Sequence, residues 1–310
     1  MKIKEMKKIS ILIIAICFGG MLKAQQLPQI TQYMINNYAI NPAVSGMYDY
    51  YQMKTTIRNQ WVGIIDGAPR TTMMSIYGSK SKNVGIGALL FNDENGHETR
   101  TGGSTSYTYS FPMTRAIKLS FALSAGFTQW RICKECLVVE DTEDPLVKGR
   151  NVVSTVPDAT FGFNMYGDKW YIGAAIPHLL NAKLDFVPET WSAGVESEGS
   201  SARHIYMLGA YKLDLNSSWS IEPSVLFKTV EAAPSQTDFG IKTMYNDLLW
   251  FGMGYRNNGA TTTLLGYSFQ DRYIIGYSYD IPPSDINLGA SHEFMIGIRF
   301  VAANESDIIR

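Results

Sequence analysis

From residue 50 to residue 300 the chain repeats one pattern: short segments in which bulky apolar side chains alternate with small or polar ones, separated by turn residues. Alternation of period two is the signature of a β-strand with two unlike faces. In residues 273–280, Tyr273, Ile275, Tyr277 and Tyr279 form one face, while Ile274, Gly276, Ser278 and Asp280 form the other. In residues 119–128, Leu119, Phe121, Leu123, Ala125 and Phe127 alternate with Ser120, Ala122, Ser124, Gly126 and Thr128. Trp219, Ile221, Val225 and Phe227 oppose Ser220, Glu222, Ser224 and Lys228 in the same way. A soluble β-sandwich also alternates. Here, however, the apolar faces are unusually aromatic, as membrane girdles are, and the opposite faces carry Gly, Ser, Thr and Ala, which suit a crowded lumen. The pattern predicts an all-β chain, a transmembrane antiparallel β-barrel.

The N-terminus points to the same solvent. Lys2, Lys4, Lys7 and Lys8 precede an apolar run over residues 9–22, and Leu22-Lys23-Ala24 forms a small-residue cleavage site. This is the layout of a secretory signal peptide over residues 1–24. The run is shorter than the roughly 20 residues a spanning helix needs. Cys17 follows Ile16 rather than a small residue, which argues against a lipoprotein. Removing Lys2, Lys4, Lys7, Lys8 and Lys23 together with Glu5 from the totals of 27 and 28 leaves 22 basic and 27 acidic side chains. That mild negative balance gives no basic patch for nucleic acid. Beyond residue 24 no apolar stretch is long enough for a membrane helix.

Strands are expected at 50–58, 70–78, 83–92, 102–111, 117–128, 158–167, 169–177, 203–212, 217–228, 236–245, 248–257, 260–269, 272–280 and 291–300. These are about 14, an even number as bacterial barrels have. Short periplasmic turns are expected at 79–82, 112–116, 167–168, 214–216, 246–247 and 270–271. Longer extracellular loops should fall at 59–69, 93–101, 129–157, 178–202, 229–235 and 281–290, with 258–259 a short exception. Residues 25–49, interrupted by Asn36, Asn37, Asn41 and Pro42, form a segment that either plugs the barrel or docks in the periplasm. The barrel then spans 50–300. Its last strand ends on Phe300, as barrel-assembly signals end on an aromatic, and a tail, 301–310, follows.

Several segments resemble the PorP/SprF family of outer-membrane proteins, associated with type IX secretion and gliding in Bacteroidetes. They are Gln32-Tyr33-Met34, Asn41-Pro42-Ala43 with Gly46, Arg58-Asn59-Gln60-Trp61-Val62-Gly63 closing on Asp66-Gly67-Ala68-Pro69, residues 276–280, and His292-Glu293. The block from Arg58 to Pro69 is the specific part; Ile64-Ile65 stand where one residue is usual. The resemblance covers the mature chain in length and order. It implies a helper of secretion in the outer membrane of a Gram-negative bacterium, assisting export or anchoring of a client such as an adhesin. The partners implied are type IX secretion components, the C-terminal domain of a secreted surface protein, and outer-membrane lipid.

Asn41, Pro42, Arg58, Asn59, Gln60, Trp61, Asp66 and Gly67 are therefore the candidate partner-binding residues. Trp61 either anchors a partner or packs over the lumen or in the interfacial belt, the commoner arrangement. Arg58 either pairs with Asp66 or stays solvated. No cofactor, metal or catalytic residue is expected. His97, His178, His204 and His292 lie in loops or at strand ends, and no G-x-S-x-G, H-E-x-x-H or phosphate loop occurs. Asp141, Glu143 and Asp144 read as a solvated loop. Cys133 and Cys136 lack the further ligands of a zinc set, so a loop disulfide or coincidence remains. The alternative function is a porin-like diffusion channel for small solutes.

Overall fold

The computed structural model describes residues 28–64, 67–136, 151–184, 199–230, 233–283 and 289–300. The expected signal peptide, the tail 301–310, Asp66, and the acidic group Asp141, Glu143 and Asp144 lie outside the described residues. Fourteen strands close into a ring. The first seven are β1 (Tyr51–Asn59), β2 (Arg70–Ser81), β3 (Val84–Asn95), β4 (Glu98–Pro112), β5 (Lys118–Ile132), β6 (Val152–Tyr166) and β7 (Trp170–Ile176). The others are β8 (His204–Tyr211), β9 (Trp219–Val230), β10 (Gln236–Tyr245), β11 (Leu249–Arg256), β12 (Thr261–Phe269), β13 (Tyr273–Ile281) and β14 (Ser291–Phe300). Each pairs antiparallel with the next, and β14 returns to β1 with Tyr51 opposite Phe300 and Asn59 opposite His292. The two-residue Leu213–Asp214 strand is a spur on β9, and Lys183–Leu184 pairs with Gly199–Ser200 outside the ring.

All fourteen strands fall where alternation placed them, because each must present an apolar set to lipid. Met74, Tyr107, Leu123, Ile172, Met207, Phe251, Ile275 and Ile296 are exposed on the outer surface. Their inward neighbours Ser75, Ser106, Thr108, Ser124, Leu208, Trp250, Ile274 and Met295 are buried in the lumen. Two expectations about the loops were wrong. The long loop anticipated at 93–101 is a tight hairpin: β3 runs to Asn95 and β4 begins at Glu98, with Gly96 at φ 60. Gly96, first of the two turn residues Gly96-His97, supplies the positive φ that such two-residue hairpins require, and the inward Asp93–Arg100 ion pair ties the two strands just below the turn. Strand β6 also starts earlier than expected, and Pro157 lies within it. The β6–β7 ladder stops at Phe161 opposite Ile176, so Pro157 pairs only with Phe127 on β5. A proline is tolerated at such a one-sided edge because no neighbour there needs its missing N–H.

The lumen is filled by the chain's own N-terminal segment. Residues 32–34, 37–39 and 42–47 form three 3-10 turns, and nearly every side chain from Ile30 to Ser45 is buried. Tyr38 stacks on Tyr77 of β2 at 4.4 Å, and its hydroxyl shares a hydrogen bond with Ser106 of β4. The wall makes room for the segment by omitting side chains: a Cβ on Gly87 would sit 2.5 Å from the Tyr38 hydroxyl, and one on Gly240 2.8 Å from Met34. The segment also has a direction. Gln29 and Thr31 lie beside Arg58 and Asp280, at the long-loop ends of β1 and β13, whereas Tyr48 accepts a backbone hydrogen bond from Ser79 at the short-turn end. With short turns periplasmic, residue 28 stands at the outer mouth and the chain descends through the lumen before β1 begins. A cysteine at Gln29 is therefore expected to react with a membrane-impermeant maleimide on intact cells, while one at Lys82, exposed in a short turn, reacts only after the outer membrane is opened. Cys133 and Cys136 are joined as a disulfide and add no background.

Candidate functional site

The candidate site is the outer mouth, built on charges that alternation turns inward. Arg256 ends β11, Arg58 and Asp280 stand one residue inside the ends of β1 and β13, Glu293 and Asp238 are the third residues of β14 and β10, and Lys228 lies near the end of β9. Parity aims all six at the lumen, at the level where strands leave the membrane. Arg58 Nη2 is 2.6 Å from Asp280 Oδ2, and its Nη1 is 3.1 Å from Glu293 Oε2. Arg256 Nη1 reaches the same Asp280 oxygen at 3.2 Å and its Nε lies 3.6 Å from Asp238, which Lys228 approaches at 3.3 Å. Three cations thus face three carboxylates. Burial of such groups is tolerated only when each charge is paired and hydrogen-bonded.

Thr31, only 2% exposed, occupies the centre of this cluster. Its hydroxyl donates to Asp280 at 2.6 Å and accepts from Arg58 at 2.8 Å and Arg256 at 2.9 Å. Its backbone N–H donates to Glu293 at 2.8 Å, and Gln32 adds an N–H to the other oxygen of the same carboxylate at 3.1 Å. The wall charges therefore hold one end of the luminal segment. A second inward pair, Arg100 with Asp93, extends the charged belt: Thr71 donates to Asp93, and Arg100 lies 5.0 Å over the Trp130 ring.

Above the cluster lies a cavity of about 210 Å3, bordered by Gln60, Trp61, Pro283 and Ser291 as well as by Arg58 and Asp280. Gln60 accepts from Arg58 Nε at 3.1 Å. Trp61 sits at φ 51 with its N–H donating to Ser291 Oγ, and is half-buried over the mouth. Asn59 lies beside them on the outward parity of β1, opposite Arg70 and His292. Gly67, at φ 78, takes its carbonyl to the N–H of Gly96, linking the 59–69 loop to the β3–β4 hairpin.

Asn41 and Pro42 are elsewhere. Asn41 caps its own turn by accepting from Ala43 N–H at 3.0 Å and donates to the Phe163 carbonyl of β6 at 2.8 Å. The Pro42 carbonyl accepts from Ser45 and Thr108, and Tyr166 donates to the Gly46 carbonyl. The Asn-Pro-Ala stretch thus seats the segment deep in the barrel, apart from the Arg58–Trp61 group. The suggested pairing of Arg58 with Asp66 lies outside the described residues; Arg58 pairs with Asp280 and Glu293. These partners were missed, although the charges at the inward positions of β10, β11, β13 and β14 could have revealed them. Among the described residues no three His, Cys, Asp or Glu side chains are grouped as a metal ion would need.

The cluster should be sensitive to single changes. Thr31→Val removes one hydroxyl from three charged partners and is expected to lower the unfolding free energy by about 1–3 kcal/mol. Arg58→Leu leaves two buried carboxylates short of a partner and should cost about 3–5 kcal/mol. Urea unfolding in lipid vesicles, followed by tryptophan fluorescence, reads both; equal and negligible losses would mean the cluster does not hold the segment.

Among solved structures, the chain is similar to the CymD monoaromatic hydrocarbon channel, at 10% identity and a TM-score of 0.52, over 85% of this chain and 91% of that one. It also matches a Pseudomonas aeruginosa FadL homologue (10% identity, TM-score 0.45, 89% and 95% covered) and the Acinetobacter baumannii outer membrane protein Omp33 (8%, 0.47, 82% and 100%). The likeness to CymD shows the outer-membrane barrel fold. No curated protein matches the sequence. Residues 22–298 match the family described as type IX secretion system membrane protein PorP/SprF. That match spans nearly the whole chain, and this outer-membrane barrel belongs to the PorP/SprF family.

Proposed function

We propose that the chain serves type IX secretion as a docking barrel and catalyses no reaction. In this reading residues 1–24 direct export and are cleaved, residues 25–49 close the lumen, residues 50–300 span the outer membrane, and 301–310 form a periplasmic tail. The outer mouth receives the C-terminal domain of a secreted surface protein such as an adhesin, while other faces contact secretion components and lipid. The observation that carries this reading is the filled lumen: a segment tied to the wall from Thr31 to Gly46 suits a closed platform better than a conduit. Trp61 and Gln60, half-buried at the rim of the mouth, are the contact residues, with Asn59 and Gly67 shaping the loop beside them and Asp66 a further contact residue. Asn41, Pro42 and Arg58 act from below by fixing the segment on which that surface rests.

A diffusion channel is the second reading, favoured by the barrel's likeness to a protein described as a hydrocarbon channel. Two measurements separate them. The tagged protein, extracted gently from its native outer membrane, should retain one large surface protein or secretion components. Trp61→Ala should weaken that retention by about tenfold, as loss of a central aromatic anchor does. In planar bilayers the intact chain should be nearly silent, and a chain lacking residues 28–47 should give large, stable currents. Recovery of abundant porins alone, together with stable currents from the intact chain, would sink the docking reading in favour of the channel.

A further inference from the structure

The luminal segment does not fill the barrel evenly. On the β10, β11 and β13 side its side chains meet the wall directly, as Met34 does at Gly240. Against β3 to β6 it leaves a cavity of about 100 Å3, whose lining includes Pro28 at the outer mouth and Ile30 and Ile40 further along the segment. The body of this cavity is apolar: Ile40 on the segment, and Met73, Leu89, Phe91 and Tyr206 on the wall. Where the wall could have closed it with larger side chains it carries Ser104, Ser124 and Thr160. One polar pair borders it. Asp158 Oδ2 lies 3.0 Å from Nδ1 of His178, itself buried and held at φ 53 just after Pro177.

This cavity lies at the one-sided part of β6. Beyond Phe161 the ladder to β7 has ended, and among the described residues the wall continues through the bond from Leu179 N–H to the Ala159 carbonyl. Asp158, Thr160, Pro177 and His178 all belong to this seam, and Phe127, half exposed on the lipid side, borders the same cavity. A cavity of this size with a partly polar border has room for water that a better-fitting molecule can displace. Dry apolar cavities of similar order, about 150 Å3, take up benzene.

We propose that the seam between β6 and β7 admits a small neutral aromatic molecule of phenol size, with its ring against Met73, Leu89, Phe91 and Tyr206 and its hydroxyl on the Asp158–His178 pair. The molecule completes the packing of the luminal segment on the one side where the chain itself does not. This site is independent of the docking role; its failure would leave that reading untouched.

The test uses 4-fluorophenol with the full mature protein in detergent, read by fluorine NMR. Partition into micelles rises linearly, whereas a site saturates. A saturable component near one equivalent is expected, lost in Ser124→Phe and in Thr160→Leu while both variants still migrate as folded, heat-modifiable barrels. Asp158→Asn should weaken 4-fluorophenol by about tenfold, the loss of one hydrogen bond to a charged group, and leave fluorobenzene unchanged. For a readout that does not depend on the variants, the intact protein photolabelled with 3-azidophenol should carry the label within residues 103–104, 124–127 or 158–178. Linear partition alone, a saturable component that survives both cavity-filling variants, or a label confined to other strands would overturn the proposal.

Discussion

Everything in this molecule follows from one prohibition: in hydrocarbon a backbone N–H or C=O has no water to bind, so no sheet edge can be left open. The pairing of β14 with β1, in register from Tyr51–Phe300 to Asn59–His292, satisfies that demand. Closing fourteen strands also encloses a space that must be filled or flooded. The chain fills it with the residues that precede β1, which have no other place in the ring. The small inward residues of the wall follow from that choice, since Tyr38, Met34 and Asn41 need the volume that Gly87, Gly240 and Gly162 give up.

Charge at the outer end selects one position for that segment. Buried ion pairs add little net stability over apolar packing, because desolvation offsets their attraction. Their value lies in discrimination. Thr31 offers one hydroxyl and one N–H to two arginines and two carboxylates. Sliding the segment by a single residue would bring Ile30 or Gln32 to that point and leave the donors and acceptors unmatched. Asn41 does the equivalent at the other end, between its own turn and the β6 carbonyl. Two anchors at separated depths define both position and rotation.

The strands were legible because lipid enforces a strict rule on alternate residues, and Tyr273 to Asp280 or Leu119 to Thr128 obey it without exception. What was not legible lay where that rule lapses. Above Phe161, β6 has lost its ladder to β7, so Pro157 could enter a strand from which it would normally be barred. Gly96 turned an expected loop into a hairpin because local turn chemistry outweighed the polarity of Asp93 and Glu94. The candidate site was half legible: Arg58, Gln60 and Trp61 do converge on one mouth. Their partners Asp280, Glu293 and Thr31 are more than 200 residues away from Arg58 or on a segment without periodicity, so spacing carried no trace of the contact. Asn41 and Pro42, grouped with them by motif alone, sit apart from that mouth, bonded within the lumen to β6 and β4.

The downward course of the luminal segment has a consequence for biogenesis. Residues 28–47 run from the outer mouth to the periplasmic end before β1 begins, so the chain enters its first strand from inside the ring that strand closes. The lumen therefore takes shape only when segment and wall are both in place, and part of what determines the wall's interior is a segment that contributes no strand at all.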